Sequence, residues 1–358
     1  MDLEFYTTSD LSSSLTSEIA RFLDSQDTAH LFQFPQWHVS GARVALLRDH
    51  EEVRWFSTFG LHSPLGSSLP WMRAVIANRG PVCDDYRLWQ AATQEFIEQM
   101  RQERLTYFDA SPDWIETPDG NRENSLRNSG WEQLRGERAS LRLDLAENED
   151  EIFSKFRKNS RYEVRRAERL GVSVLPASGD EEMEEFLILH ARMAARKGFQ
   201  AEAPGDLRGA IRWLASAGAR GALLLARYEN RVYGGAVIGR AGKRCWYVWG
   251  AAEKHEHFNV GHILQWRALL WAKSHGCSEY DFGGYTPGAT SGPAWFKAGF
   301  GGTAVRFVPP HRRVIRRGCY RLFKVVFQMR ELSRRSPAIR RPERVLLPGS
   351  ASANLADK

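Results

Sequence analysis

The sequence predicts an α/β (α+β) protein of two domains. Three observations carry that reading. The chain has 358 residues, where one domain averages about 150. Strand-like alternation and helix-period apolar spacing follow one another along it. The pattern also starts afresh after Asn148. The divisions are 1–147 and 148–310 for the two α/β domains, 311–336 for a basic amphipathic helix and 337–358 for a disordered tail.

Ser9 to Ser14 supply side chains that cap a helix over about Leu15 to Leu23. Alternating segments at Val44–Leu47, Val53–Leu61 and Ala74–Ala77 read as strands. A turn at Asn78-Arg79-Gly80-Pro81 leads into a helix from Tyr86 to about Arg104, with Leu88, Trp89, Ala92, Phe96 and Met100 at helical spacing. Strands follow at Leu105–Phe108 and Arg138–Leu145. The second domain opens with a basic helix from Ile152 to Leu170, stopped by Gly171. A strand at Val172–Leu175 and helices at Glu181–Arg196 and Leu207–Ala217 come next. Strands at Ala222–Tyr228, Val232–Ile238 and Cys245–Trp249, a helix from Val260 to Ser274, and a short strand at Tyr280–Phe282 complete it.

Composition excludes several classes. Hydrophobic residues make up 42% and charged residues 26%, which is globular, not low-complexity. No apolar run approaches the roughly 18 residues of a membrane span, and the acidic Met1-Asp2-Leu3-Glu4 start is unlike a secretory signal. Cys83, Cys245, Cys277 and Cys319 contain no Cys-x-x-Cys pair, so a cytoplasmic location is expected. The net charge of +7 is local: His311 to Arg344 holds 12 Lys and Arg against Glu331 and Glu343, leaving 38 basic and 41 acidic residues elsewhere. A localised patch says more about partners than the global charge, and no DNA partner is expected.

Three segments carry information. In the first, Lys158, Arg161, Arg165 and Arg169 recur at spacings of three and four, forming one helical face suited to phosphate. A solvated face offset by Glu163 and Glu168 is the alternative. The second is Tyr280-Asp-Phe-Gly-Gly-Tyr-Thr-Pro-Gly, followed by Pro293-Ala-Trp-Phe-Lys-Ala-Gly-Phe-Gly-Gly. Paired glycines allow close backbone approach to a ligand, and Lys297 sits among Trp295, Phe296 and Phe300. The third is Gln33-Phe-Pro-Gln-Trp37 with Asn78-Arg-Gly-Pro-Val82. His255, His257 and His262 lack the spacing and the cysteines of a metal set, so no metal site is expected.

Together, Gln36-Trp37, Arg79-Gly80-Pro81-Val82, Arg161 to Gly171-Val172, Asp281-Phe282-Gly283-Gly284 and Phe296-Lys297 to Gly301-Gly302 resemble the FemABX peptidyltransferases of the GNAT (N-acetyltransferase-like) superfamily. The similarity runs in consistent order over roughly residues 30 to 308. It implies two tandem GNAT-like domains with mixed sheets flanked by helices. The long coiled-coil arm of some Fem proteins is missing, because only short helices lie between Gly198 and Gly221. The resemblance also implies an aminoacyl-tRNA donor, no bound cofactor, and an acceptor amine on a cell-wall (peptidoglycan) precursor or another small or lipid-linked molecule.

Acyl-CoA is the alternative donor. A CoA-dependent member cradles pyrophosphate with glycines at a helix N-terminus, whereas the nearest register here reads Glu256-His-Phe-Asn259-Val-Gly261. For transfer itself, Asp281 is expected to orient or accept a proton, and the amides of Gly283 and Gly284 to stabilise an oxyanion. Lys297 is expected to contact the tRNA end, with Tyr247, Trp249 and Phe296 lining the substrate. A non-catalytic binding protein on a GNAT scaffold is the reading from another class. The C-terminal basic helix has three readings: lying on an anionic membrane surface at the inner face, binding tRNA phosphates, or packing on the protein body.

Overall fold

The computed structural model describes residues 2–335 apart from 39–40, 67–68, 70, 118, 137, 201 and 217–219. The expected tail at 337–358 lies outside them. The chain divides into two compact units, one of Met1–Pro35, Gly41–Glu137 and Phe307–Lys358, the other of Gln36–Ser40 and Arg138–Arg306.

The first unit holds β1 (Asp2–Thr7), α1 (Ser13–Ser25), β2 (Arg43–Asp49), β3 (Glu52–His62), β4 (Arg73–Ala77), α2 (Tyr86–Met100), β5 (Leu105–Ala110), α3 (Asn121–Asn128) and β6 (Trp131–Gln133). Ser12 caps α1 at the Leu15 amide, and Asp85 caps α2 at the amides of Arg87 and Leu88. The second unit holds β7 (Arg138–Asp144), α4 (Glu149–Ser154), α5 (Lys158–Arg169), β8 (Ser173–Pro176), α6 (Asp180–Lys197), α7 (Pro204–Ser216), β9 (Gly221–Tyr228), β10 (Arg231–Ala241), β11 (Arg244–Ala252), α8 (Val260–Ser274), β12 (Glu279–Gly284), α9 (Gly292–Ala298) and β13 (Thr303–Phe307). β14 (His311–Val314) and α10 (Arg317–Arg335) return to the first unit.

The two seven-stranded sheets have one plan. Their orders are β1-β2-β3-β4-β5-β14-β6 and β13-β7-β12-β11-β10-β9-β8. In each, an antiparallel meander ends in a parallel pair, β4–β5 or β11–β12, joined by a crossover helix, α2 or α8. The sixth position of each sheet is filled from the other half of the sequence, by β14 in the first and β7 in the second. Thus the strand at 138–144, expected in the first domain, belongs to the second sheet, between β12 and β13.

Two further expectations differ from the structure. The helix expected over 152–170 is two helices. A reciprocal capping box between Asn148 and Glu151 starts α4, and the chain turns at Lys155–Arg157 before α5. The start of the C-terminal basic segment is a strand. On β14, Arg312 stands opposite Asp109 of β5 and grips its carboxylate with two 2.6 Å hydrogen bonds, its guanidinium 3.7 Å from the Tyr107 ring centroid. Arginines that look like a solvent stripe in sequence are partly cross-strand partners.

Both sheets are covered on two faces. In the second unit α5 and α8 share the core containing Phe156, Val164, Ile263, Phe282 and Phe300. Phe186 of α6 packs on the other side. Consecutive glycines in β10 permit this: a Cβ on Gly234 would meet Val260 at 2.6 Å, and one on Gly235 would meet Phe186 at 2.5 Å. In the first unit α2 packs Trp89 and Phe96 on the sheet, while Tyr320 and Phe323 of α10 join Tyr107, Ala74 and Met72 in a separate cluster.

Gly235→Ala is therefore expected to lower stability by about 1–3 kcal/mol through overpacking. Gly205→Ala in α7, where nothing lies within 4 Å of the new methyl, raises it by about 0.4–1 kcal/mol. Paired thermal melts check both signs.

Candidate active site

The second sheet opens at its parallel pair. β11 and β12 pair only through Arg244↔Glu279, Cys245↔Tyr280 and Trp246↔Asp281, although β11 continues to Ala252 and β12 to Gly284. At the same level the β10–β11 register shifts between Val237 and Ile238, leaving Val248 as the extra residue of a bulge. The corresponding pair in the first unit, after a register shift between Arg73 and Ala74, stays paired to Ala77↔Ala110, and the Ser111 amide closes its end by donating to Gly80 O at 2.9 Å. Of the two parallel pairs, the one in the second unit is the one whose pairing ends well before its strands do.

Asp281 sits at the point of parting and is 2% exposed. One carboxylate oxygen accepts from the Ser140 hydroxyl and from the Gly283 amide at 2.8 Å; the other accepts from Arg142 Nε at 3.1 Å. Ser140 and Arg142 are alternate residues of β7, so the carboxylate ties β7 to β12. It also holds Gly283 at φ +70, a left-handed conformation that favours glycine. Both carboxylate oxygens are thus engaged, which makes Asp281 a clamp between the two strands, and the Gly283 amide is donated to it.

Lys297 is held by that turn. Its Nζ donates to Gly284 O at 2.7 Å. Desolvation pushes its ammonium down to about 8, while the Asp281 charge acts in the opposite direction. Lys297 is carried by α9, whose end is pinned to α5: the Arg157 amide donates to Gly299 O at 2.8 Å. A lysine near pH 8 is a strong donor that can also exchange its proton, the property expected of a chemical group rather than a surface charge.

Phe296 takes a different place from the one expected. Its ring lies against Gly261 and edge-on to His262, with centroids 5.0 Å apart, at the N-terminus of α8. That end is filled by the chain itself. Asn259 Oδ1 accepts from the Gly261 amide at 3.2 Å, and the Asn259 amide donates to Glu163 Oε2 at 3.2 Å. Burial pushes the His262 imidazole down to about 4, so it is neutral. An amide cap, a carboxylate and an aromatic ring stand where a diphosphate would need free N–H groups.

The α5 face is divided. Lys158, Arg165 and Arg169 are exposed. Arg161 is not available in the same way, because its guanidinium donates to Ser154 O at 2.8 Å and to Phe156 O, closing the α4–α5 turn. Arg165 also lies 5.3 Å from the Phe153 ring centroid. Tyr247 lies at the bulge, its carbonyl 3.3 Å from where a Gly283 Cβ would be and its hydroxyl folded over Gly250; burial pushes its phenol up to about 12. Trp249 stacks on Trp37 at 5.1 Å, and Trp37 meets Trp213 edge-on. Asp281, Gly283, Gly284, Lys297 and the Tyr247 backbone are thus brought together, while Phe296, Trp249 and the α5 cations have other neighbours.

Ser140 and Arg142 were not singled out in the sequence, and Glu163 entered only as a charge offsetting the α5 cations. The signal for the first two was the polar alternation Arg138, Ser140, Arg142, Asp144, which reads as a solvent face but buries Ser140 and Arg142.

Comparison with known proteins agrees with this architecture. Residues 154–297 match the family model of the acetyltransferase (GNAT) domain. A lipid II:glycine glycyltransferase of Staphylococcus haemolyticus (strain JCSC1435) is 36% identical over 63 residues, 17% of this chain and 15% of that protein. The match therefore spans well under a fifth of that curated relative's length. A crystal structure of FemX superposes with a TM-score of 0.76 at 17% identity, covering 90% of this chain and 99% of that one. A tandem GNAT protein from the clavulanic acid biosynthesis pathway gives 0.52 at 11% identity, covering 87% and 98%. The fold is FemX-like, a tandem of two GNAT-like units.

Asp281→Ala is expected to lower unfolding stability by about 1–3 kcal/mol, since the buried donors Ser140 Oγ, Arg142 Nε and the Gly283 amide lose their shared acceptor. A carboxylate acting only as a base would leave the melting curve unchanged while abolishing turnover.

Proposed function

We propose that the protein is an acyltransferase that moves an amino acid from aminoacyl-tRNA to an amine of a small or lipid-linked acceptor, forming an amide. The observation that carries this reading is Lys297, an ammonium drawn down to about 8 and fixed on the Gly284 carbonyl where β11 and β12 part. The FemX-like fold and the local similarity to a lipid II:glycine glycyltransferase support an aminoacyl donor and a cell-wall acceptor.

The reaction needs little covalent help, because an aminoacyl ester is already activated. The neutral acceptor amine attacks the ester carbonyl carbon, a C–N bond forms, and negative charge develops on the carbonyl oxygen. Lys297 donates a hydrogen bond to that oxygen and stabilises the tetrahedral intermediate. As the C–O bond to the ribose breaks, the ribose oxygen takes up the proton that the attacking amine gives up. Asp281 acts through position: it fixes the turn whose Gly284 carbonyl orients Lys297, and its charge keeps the lysine protonated. The exposed Lys158, Arg165 and Arg169 are assigned to phosphates of the tRNA.

An acyl-CoA donor is the second reading, favoured by the GNAT-domain match over 154–297. The occupied N-terminus of α8 weighs against it, because Asn259, Glu163 and Phe296 would all have to move before a pyrophosphate met the helix amides.

Charged tRNA and acetyl-CoA, each supplied with cell-wall precursor amines and read by product mass, separate the two. Product from charged tRNA alone is expected; product from acetyl-CoA alone overturns the proposal. Lys297→Met should lower kcat by about 10²–10³-fold. Because the protonated lysine is the active form, wild-type kcat falls as pH rises through about 8. Residual activity of Lys297→Arg should lack that descending limb.

A further inference from the structure

The C-terminal helix α10 has a face that the protein body does not use. Tyr320 and Phe323 are buried against the first sheet, and Val326 packs beside them. Leu322, Val325 and Met329 point elsewhere, at 43%, 47% and 63% exposure. Their spacing of three and four makes them a second apolar stripe on the same helix. Next to it Arg317, Arg321 and Lys324 recur at the same spacing, and all three are exposed. From His311 to Met329 there is no Asp or Glu. The chain that packs against this helix through Leu69 and Met72 also presents Trp71, 44% exposed.

A helix that only capped a sheet would need one apolar stripe and would leave the rest polar. A phosphate-binding helix would need cations but no large apolar side chains in water. The combination of an apolar stripe, a cationic stripe and an exposed tryptophan fits a surface that is apolar inside and anionic at its rim. Among the described residues no helix is long and apolar enough to cross a membrane, so the contact is a flat one. We infer that α10 docks the first unit on an anionic lipid bilayer, with Leu322, Val325 and Met329 entering the acyl boundary and Arg317, Arg321 and Lys324 facing lipid phosphates. Arg312 serves as the anchor of this device and not as a lipid contact. It is held by Asp109 and lies beneath Tyr320, whose hydroxyl accepts from its Nη1 at 3.3 Å.

This inference does not depend on the acyl-transfer reading, because docking is measured without turnover. The full chain is sedimented with vesicles of phosphatidylcholine alone or mixed with phosphatidylglycerol. Binding to the anionic vesicles at least about tenfold tighter than to the neutral ones is expected. It should be largely lost between about 0.1 M and 1 M salt, where the screening length falls from about 10 Å to 3 Å. Leu322→Asp with Met329→Asp, and separately Arg321→Glu with Lys324→Glu, should each lower it at least about tenfold with unchanged thermal melts. The substituted side chains are exposed, so a folding defect is visible as a shifted melt. Absence of wild-type binding to anionic vesicles overturns the inference, as does equal binding by both folded variants. A dimer lost in Leu322→Asp with Met329→Asp, without vesicle binding, would assign the face to a second copy and overturn it equally.

Discussion

Asp281 is the interaction on which the candidate site depends. Its carboxylate joins two strands distant in sequence, β7 and β12, through Ser140 and Arg142, and bends the chain at Gly283 by accepting that residue's amide. The next carbonyl, Gly284 O, fixes the ammonium of Lys297. Position and electrostatics are therefore set by one group. The negative charge that shapes the turn also opposes the desolvation that would otherwise draw the lysine lower. A buried Asp–Arg pair adds little net stability by itself. Its role here is to specify a single geometry at the mouth of the parted strands.

The duplicated plan of the sheets explains where that mouth is. Each unit places a parallel strand pair beside an antiparallel meander, and such a pair is the natural point for strands to diverge. In the first unit the pair stays hydrogen-bonded along β4, and the Arg79 side chain binds Asp113 at 2.8 Å close to its end. Gln33 is buried there, accepting from the Thr58 amide and donating to Asn78 O. The Gln33 and Arg79-Gly80-Pro81 motifs brace this end. The second unit carries the opening, the bulge and the lysine.

Much of this was legible from periodicity. Helix α8 begins at Val260 and ends at Ser274 as its spacing predicts, because Asn259 caps it and Gly276 follows it. The Asp-Phe-Gly-Gly and Phe-Lys segments lie near each other in sequence, and Lys297 reaches the Gly284 carbonyl, but the side-chain partners are not legible there. Whether a carboxylate is poised or fully engaged depends on partners about 140 residues away, and Ser140 and Arg142 look like a solvent face in a local window. Arg161 and Arg312 illustrate the same limit. Each belongs to a row of cations in sequence, and each is committed to a carbonyl or carboxylate that only the folded chain brings near. Strand β14 falls inside the segment read as one basic helix because its arginines run on into the helical segment that follows.

The central claim is that Lys297 is a desolvated ammonium held charged by the Asp281 clamp. Nitrogen-detected NMR titration of the lysine side chain, in the wild type and in Asp281→Asn, tests this most directly. The account predicts a wild-type midpoint near 8 and a lower one in the variant, since removing the negative charge disfavours the ammonium. An unperturbed midpoint of about 10.4 in both proteins, or an unchanged midpoint in the folded variant, would contradict it.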